Sequence, residues 1–189
     1  MLFTTKQLFL CLLLTLPFVF IACDDEEVEI PNEEEVITNV TLTLTPEGAG
    51  TPVVLSFVDI DGEGGADGVY TTAPLAANTT YAGSVTLLNT ADGANEDITR
   101  EIEEEDDEHQ LFYQIASDLN LTVAYEDADG NNNPVGLLTT ITSGDASTGT
   151  LTVTLRHEPA KDASGVSDGD ITNAGGETDI EVVFDVEIQ

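Results

Sequence analysis

The chain has 189 residues, of which 37 are Asp or Glu and only four are Lys or Arg, so its formal net charge is −33. Phosphate backbones are bound by clustered Lys and Arg, and this composition therefore excludes nucleic acid as a partner. Cations and basic proteins are the partners that such a charge attracts.

Residues 1–22 have the organisation of a signal peptide. Lys6 provides a positive region, and the apolar run Leu8–Ile21 has about 14 residues, short of the ~18 that a membrane-spanning helix needs. The run ends at Ala22-Cys23, which resembles a bacterial lipoprotein processing site. We therefore expect Cys23 to become the acylated first residue of the mature chain and to anchor it to a membrane without spanning it. An ordinary secretory signal with a chance cysteine is the alternative.

The cysteines exclude another class of site. Cys11 lies inside the leader and would be removed with it, and Cys23 would carry the lipid, so the mature chain keeps no free thiol. Disulfides and cysteine-ligated metals are therefore not expected, although export would permit disulfides.

Residues 23–35 form a strongly acidic stretch that cannot bury itself and is predicted to be a solvated tether. The stretch resembles the acidic export signal that some Gram-negative lipoproteins carry just after the acylated cysteine. This favours the outer membrane, with the protein facing the cell exterior. Retention at the periplasmic face is the alternative, because aspartate beside the cysteine acts as a retention signal in other bacteria.

Residues 36–189 show repeated apolar and polar alternation, the pattern of half-buried antiparallel strands. Gly, Asn, Asp and Ser clusters separate the runs, and this spacing predicts an all-β fold, an antiparallel, immunoglobulin-like β-sandwich of about nine strands. The predicted strands are Val36–Thr45, Val53–Val58, Val69–Thr72, Thr80–Leu88, Leu111–Ile115, Leu119–Tyr125, Val135–Ile141, Thr148–Arg156 and Ile180–Ile188.

Two parts of this domain match each other at a fixed distance. Residues 53–88 and 121–156 align without a gap at an offset of 68, which places Gly62 on Gly130. An internal duplication is the hypothesis, and chance among abundant Thr and Gly is its rival; one sandwich and two half-sized modules both stay open. Between the copies, residues 96–109 are predicted to be an acidic, hydrated connector containing at most a short helix, with cation capture as the alternative.

Three acidic loops make calcium the first candidate ligand. Alternate carboxylates on a glycine-containing loop can converge on one hard cation, and Asp-x-Asp-Gly turns between strands are the alternative interpretation. The candidate calcium ligands are Asp59, Asp61, Glu63 and Asp67 in the first loop, Asp127, Asp129, Asn131 and Asn133 in the second, and Asp168, Asp170 and Asp179 in the third.

The two histidines make zinc the second candidate. His109 follows the acidic connector, and His157, followed by Glu158, ends a predicted strand. Imidazole together with carboxylate suits zinc, so a site forms if these two ends meet in space. Surface histidines without a ligand are the alternative.

Catalysis is not expected from this sequence. The mature chain lacks a cysteine nucleophile, a Gly-x-Ser-x-Gly elbow and a His-Glu-x-x-His helix. A carboxylate pair for glycoside hydrolysis would need an aromatic sugar platform, and the chain contains no Trp.

Several segments resemble a group of small bacterial outer-membrane lipoproteins. The segments that carry the resemblance are the Cys23 site and residues 32–38, 155–159, 165–170 and 175–182. Such chains are often labelled as type 1 periplasmic binding fold proteins, which implies a larger two-lobed α/β solute binder, whereas this length and strand pattern predict a β-sandwich. Some resemble accessory lipoproteins of outer-membrane transporters. Cys23, the acidic tether and the missing catalytic groups predict a lipid-anchored, non-catalytic binding or docking protein, and the resemblance places it beside an outer-membrane transporter. The acidic loops add the expectation that calcium stabilises it; a zinc-scavenging lipoprotein is the alternative.

Overall fold

The computed structural model describes residues 35–62 and 65–189. The predicted leader, Cys23, most of the tether and Glu63 lie outside the described residues. The strands in chain order are β1 (Asn39–Pro46), β2 (Val53–Val58), β3 (Val69–Thr71), β4 (Thr80–Asn89), β5 (Glu96–Asp97), β6 (His109–Ile115), β7 (Leu121–Tyr125), β8 (Leu138–Ser143), β9 (Ser147–His157) and β10 (Glu177–Ile188).

The strands form two antiparallel sheets. The larger sheet has the order β3-β2-β1-β4-β8-β7, with β5 added to β4, and the smaller has the order β10-β9-β6. This confirms the predicted all-β antiparallel sandwich, and each of the nine predicted strands is present. The sequence missed only β5, whose two residues are too few to show an alternating pattern.

One hydrophobic core lies between the sheets. Strand β10 shows how the sequence builds it, because Val182, Phe184 and Val186 are buried while the intervening Asp185 and Glu187 are exposed. Alternate residues of a strand point to opposite faces, so this period of two separates core from solvent. Apolar residues from both sheets belong to the same cluster, and each fully buried side chain of this kind contributes about 1.5–3 kcal/mol.

The smaller sheet is also covered on its outer face. Residues 158–176 fold back over it in short 3₁₀ turns, and Phe112, Val166 and Ala174 form a second apolar cluster there. The Gln110 side-chain amide donates to the Val166 carbonyl at 3.0 Å. Strand β6 is therefore buried on both faces, and polar groups placed on it are shielded from water.

The acidic connector is packed against the sandwich. Residues Ile98–Glu104 form a helix, α1, whose Ile98 and Ile102 are buried in the core. The Thr99 hydroxyl fastens α1 to β4, since it accepts from the Leu87 amide at 2.8 Å and donates to the Leu87 carbonyl at 3.1 Å. The expected hydrated connector is thus a docked helix in this part, because its two isoleucines, spaced i and i+4, supply an apolar face.

The strands that the 68-residue offset superposes have different surroundings. Strand β4 lies in the larger sheet between β1 and β8, whereas β9 lies in the smaller sheet between β6 and β10. The described residues belong to one compact unit rather than two half-sized modules. A duplication in the ancestry of the sequence stays a prediction.

Candidate metal centre

The two histidines face each other across neighbouring strands. His109 is the first residue of β6, His157 is the last residue of β9, and the two are direct cross-strand partners. Directly opposed residues of an antiparallel pair project on the same side of the sheet, which brings the ring centroids to 4.4 Å. His109 is completely buried and His157 nearly so. The register of two strands therefore assembles the first half of the site.

The Glu35 carboxylate contacts both imidazoles. Its Oε1 is 3.0 Å from His109 Nε2, and its Oε2 is 3.4 Å from His157 Nδ1. Burial by itself would raise the pKa of the Glu35 carboxyl, but a backbone hydrogen bond and the charges of His109 and His157 outweigh it, so the pKa lies below its usual value. A carboxylate is thus held in its ionised form in a site largely closed to water.

Asp179 contributes the fourth donor from an irregularity in β10. The pairing of β10 with β9 passes from Thr178 opposite Arg156 to Ile180 opposite Leu155, so Asp179 is the extra residue of a β-bulge. A bulge changes the direction of a side chain, and here Asp179 Oδ1 lies 4.0 Å from His157 Nδ1 with its side chain fully buried.

Groups outside the four donors orient the imidazoles. His109 Nδ1 lies 3.1 Å from the Glu105 carbonyl oxygen, which can only accept, so Nδ1 carries the proton and Nε2 is directed to Glu35. On the far side of the second ring, Glu108 Oε2 lies 3.8 Å from His157 Nε2. Metal-binding histidines commonly donate their other N–H to a carbonyl, as His109 does to Glu105.

The arrangement fits a divalent transition ion. One donor atom from each of Glu35, His109, His157 and Asp179 lies within 4.8 Å of all the others. Donors at 2.0–2.1 Å around tetrahedral zinc are about 3.3 Å apart, and the distances of 3.0, 3.4 and 4.0 Å scatter around that value. Among the described residues, Glu35 Oε2 and His157 Nδ1 are buried without a hydrogen-bond partner, and a shared cation would satisfy both.

Sequence reasoning anticipated only part of this centre. The structure brings His109 and His157 together, as the zinc hypothesis requires. Glu158 lies instead in a second group, where it and Glu108, both exposed, are near the buried His157. The sequence predicts Glu35 as the end of the tether and Asp179 as a calcium ligand, and the structure places both beside His157. The sequence contains one hint of Asp179. This acidic residue interrupts the strand pattern just before the alternating part of β10 begins.

The carboxylates of the first calcium loop accept hydrogen bonds from the backbone of the same loop. Asp59 Oδ1 accepts from the Gly62 amide at 3.0 Å, and Asp61 Oδ2 accepts from the Ala66 amide at 2.9 Å. The hydrogen bond from Ala66 keeps the pKa of Asp61 below its usual value. Both carboxylates thus accept backbone amides within their own loop, the kind of side-chain contact that shapes a turn. Asp67 is exposed, and calcium binding by this loop stays a prediction.

The second calcium loop is already paired with a cationic side chain from elsewhere in the chain. Asp129 Oδ1 accepts from the amides of Asn131 and Asn133, and its Oδ2 accepts from the Lys161 ammonium at 3.2 Å. Both oxygens of Asp127 also accept backbone amides, from Gly136 at 2.7 Å and Leu138 at 2.8 Å. The carboxylate oxygens of Asp127 and Asp129 thus already accept from backbone amides and a lysine, and calcium binding by this loop stays a prediction.

The third calcium loop is divided between two places. Asp170 caps a 3₁₀ turn, where its Oδ1 accepts from the Thr172 amide at 2.9 Å. Hydrogen bonding to the side chain and to the amide of Thr172 lowers the pKa of Asp170. Asp168 ends the preceding 3₁₀ turn. Asp179, at the twelfth position from Asp168, lies instead beside His157, so the three do not form one group of donors among the described residues.

The described part of the chain contains no helix with the length and apolarity of a membrane span. Comparisons with protein-family models, with curated proteins and with solved structures give no match. The case for function therefore rests on the geometry of the histidine–carboxylate centre.

Proposed function

We propose that this chain is an exported, lipid-anchored, non-catalytic protein that binds a divalent transition metal ion, zinc in the first instance. The observation that carries the proposal is the buried cross-strand pair His109–His157, with one oxygen of the Glu35 carboxylate beside each ring. Nitrogen and carboxylate donors of this kind suit zinc better than calcium, which prefers six to eight oxygens.

The closed character of the centre supports storage or structural binding over catalysis. The side chains of Glu35, His109, His157 and Asp179 are exposed by 10%, 0%, 5% and 0%. Catalytic zinc keeps a position for water or substrate, whereas four protein donors complete a tetrahedral shell. Bound metal would stabilise the end of the sandwich where β6, β9 and β10 meet.

Location is the second part of the proposal. Its support is the Cys23 processing site and the acidic tether, which favour the outer membrane and the cell exterior. The resemblance to transporter-associated lipoproteins suggests an outer-membrane transporter as the partner that delivers or receives the ion. Exported binding proteins of this kind would keep a scarce metal close to the cell surface.

The test combines elemental analysis with thermal melting. Protein purified without chelator should contain one zinc per chain, and chelator followed by zinc should lower and then restore Tm. At free zinc 100 times Kd the free energy of unfolding rises by about 2.7 kcal/mol, which for a domain of this size corresponds to roughly 5–11 °C.

Variants separate this centre from the other acidic groups. The double variant His109→Ala, His157→Ala should lose both the zinc and the Tm response while keeping its far-ultraviolet spectrum. The matched control Asp59→Asn, Asp61→Asn removes two loop carboxylates and should keep both. Metal-free wild-type protein whose Tm ignores zinc would refute the proposal, and stoichiometric manganese or cobalt in place of zinc would correct the ion.

A further inference from the structure

The four donors of the metal centre differ in how they are held. His109, His157 and Asp179 belong to β6, β9 and β10, three adjacent strands of the smaller sheet, and ladder hydrogen bonds fix their relative positions. Three donors therefore form a half-site that the sheet positions in advance.

The fourth donor comes from a segment outside that sheet. Residues Glu35–Thr38, here called the leading segment, run into β1 of the larger sheet. Its first backbone hydrogen bond to the sandwich is made by the Thr38 amide, which donates to the Leu88 carbonyl at 3.0 Å. Before Thr38, the Ile37 side chain packs against the core, Val36 is exposed, and the Glu35 carboxylate contacts the histidines.

We infer that metal binding fastens the leading segment to the smaller sheet, so that metal occupancy determines where the acidic tether leaves the domain. The inference rests on the proposed function and concerns its consequence for the chain. Ordering Glu35 to Ile37 costs backbone entropy at each residue. A bond from Glu35 to an ion already held by His109, His157 and Asp179 offsets that cost.

The consequence is a change in the free length of the tether. With the metal bound, the chain is fixed from Glu35 onward; without it, the first attachments are the Ile37 side chain and the Thr38 amide. Two more residues, Glu35 and Val36, then join the tether, which adds roughly 7 Å of reach at ~3.3–3.6 Å per extended residue. The metal would thus draw the domain towards the membrane anchor and limit its orientations there.

Amide hydrogen exchange tests the inference on the whole exported protein. Zinc should slow exchange at the Val36 and Ile37 amides by at least about tenfold, as expected for a segment whose local opening becomes unfavourable. The exposed turn at residues 47–50 between β1 and β2 is the internal control, and its exchange should not change. The variant Glu35→Gln should still bind zinc through the remaining donors, at least about tenfold more weakly, and show no zinc-dependent protection of Val36 and Ile37.

The outcomes separate this inference from the proposed function. Wild-type protein that binds one zinc without a change in exchange at Val36 and Ile37 would overturn the fastening and leave metal binding intact. Unchanged zinc affinity in Glu35→Gln would do the same, because Glu35 would then not be a ligand. Protein that takes up no zinc would overturn both proposals.

Discussion

Replacing Lys161 tests how much a buried ion pair contributes to the stability of this acidic protein. Its side chain is 5% exposed, and its ammonium donates to Asp129 Oδ2 and to the Pro134 carbonyl, each at 3.2 Å, and to the Asp106 carbonyl. Asp129 is nearly as buried, with a side chain 1% exposed. We therefore consider Lys161→Met, which removes the charge and keeps most of the side-chain volume.

The expected loss of stability follows from the Asp129 carboxylate that the variant leaves unpaired. Breaking a buried ion pair by removing one partner costs about 3–5 kcal/mol. Asp129 keeps the amides of Asn131 and Asn133 on its Oδ1, so the lower end, about 3 kcal/mol, is expected. For a domain of this size that corresponds to a decrease in Tm of roughly 6–12 °C.

Urea unfolding of wild type and variant at neutral pH measures this difference. The matched control is Arg100→Met, since Arg100 pairs with Glu104 on the surface with side chains 73% and 64% exposed, and such pairs contribute about 0–1 kcal/mol. A loss in Lys161→Met no larger than in Arg100→Met would refute the buried-pair reasoning. The double variant Lys161→Met, Asp129→Asn should recover part of the loss, because it leaves no charge unpaired.

The same pair predicts a pH dependence with a definite sign. Burial alone would raise the pKa of Asp129, but hydrogen bonds from the Asn133 and Asn131 amides and from Lys161 outweigh it, and the pKa lies below the usual 3.8. A lowered folded-state pKa contributes stability that is complete above the unfolded value and is lost as pH falls through the folded value. The difference between wild type and Lys161→Met should therefore be constant above about pH 5 and shrink below 3.8.

Two further predictions concern calcium and location. Because Asp59, Asp61, Asp127 and Asp129 already accept backbone amides, we expect millimolar calcium to raise the Tm of chelator-treated protein by less than about 2 °C, the effect of under 1 kcal/mol. A larger rise that disappears in Asp59→Asn, Asp61→Asn would establish the first loop as a calcium site. Cys23→Ala should move the protein from the membrane to the soluble fraction, as fractionation and immunoblotting would show. Continued membrane association would contradict the lipid anchor.

The strands could be predicted because each has its own alternation of apolar and polar residues in the sequence. Val40, Leu42 and Leu44 alternate with threonines, and burial of one face is enough to define β1 without knowledge of its neighbours. The connector was harder to interpret, because only Ile98 and Ile102 mark its buried face among many acidic residues. Their burial depends on the sheet beneath them, which a local pattern does not contain.

The metal centre depends on relations between distant segments, which is why only its histidines could be anticipated. His109 and His157 meet because β6 and β9 pair in one particular register; a shift by one residue would point one of them to the opposite face. Asp179 joins them through a bulge, and Glu35 through the direction in which the chain enters β1. Neither feature leaves a spacing in the sequence that could be matched to a ligand motif.

The described residues contain two places where carboxylates are withdrawn from water beside a cationic side chain, and they differ in one chemical respect. At Asp129 the positive charge belongs to the Lys161 ammonium, which is part of the chain, so this pair is fixed once the chain has folded. At Glu35 and Asp179 the neighbours are His109 and His157, whose charge depends on a proton.

A metal ion binds the unprotonated imidazole, so metal uptake at this second place would release protons and supply the positive charge in their stead. Of these two buried positions, only the histidine centre has the donors to take up and release a metal ion. In a chain with 37 acidic residues, such a buried exchange would provide a selectivity that surface charge lacks.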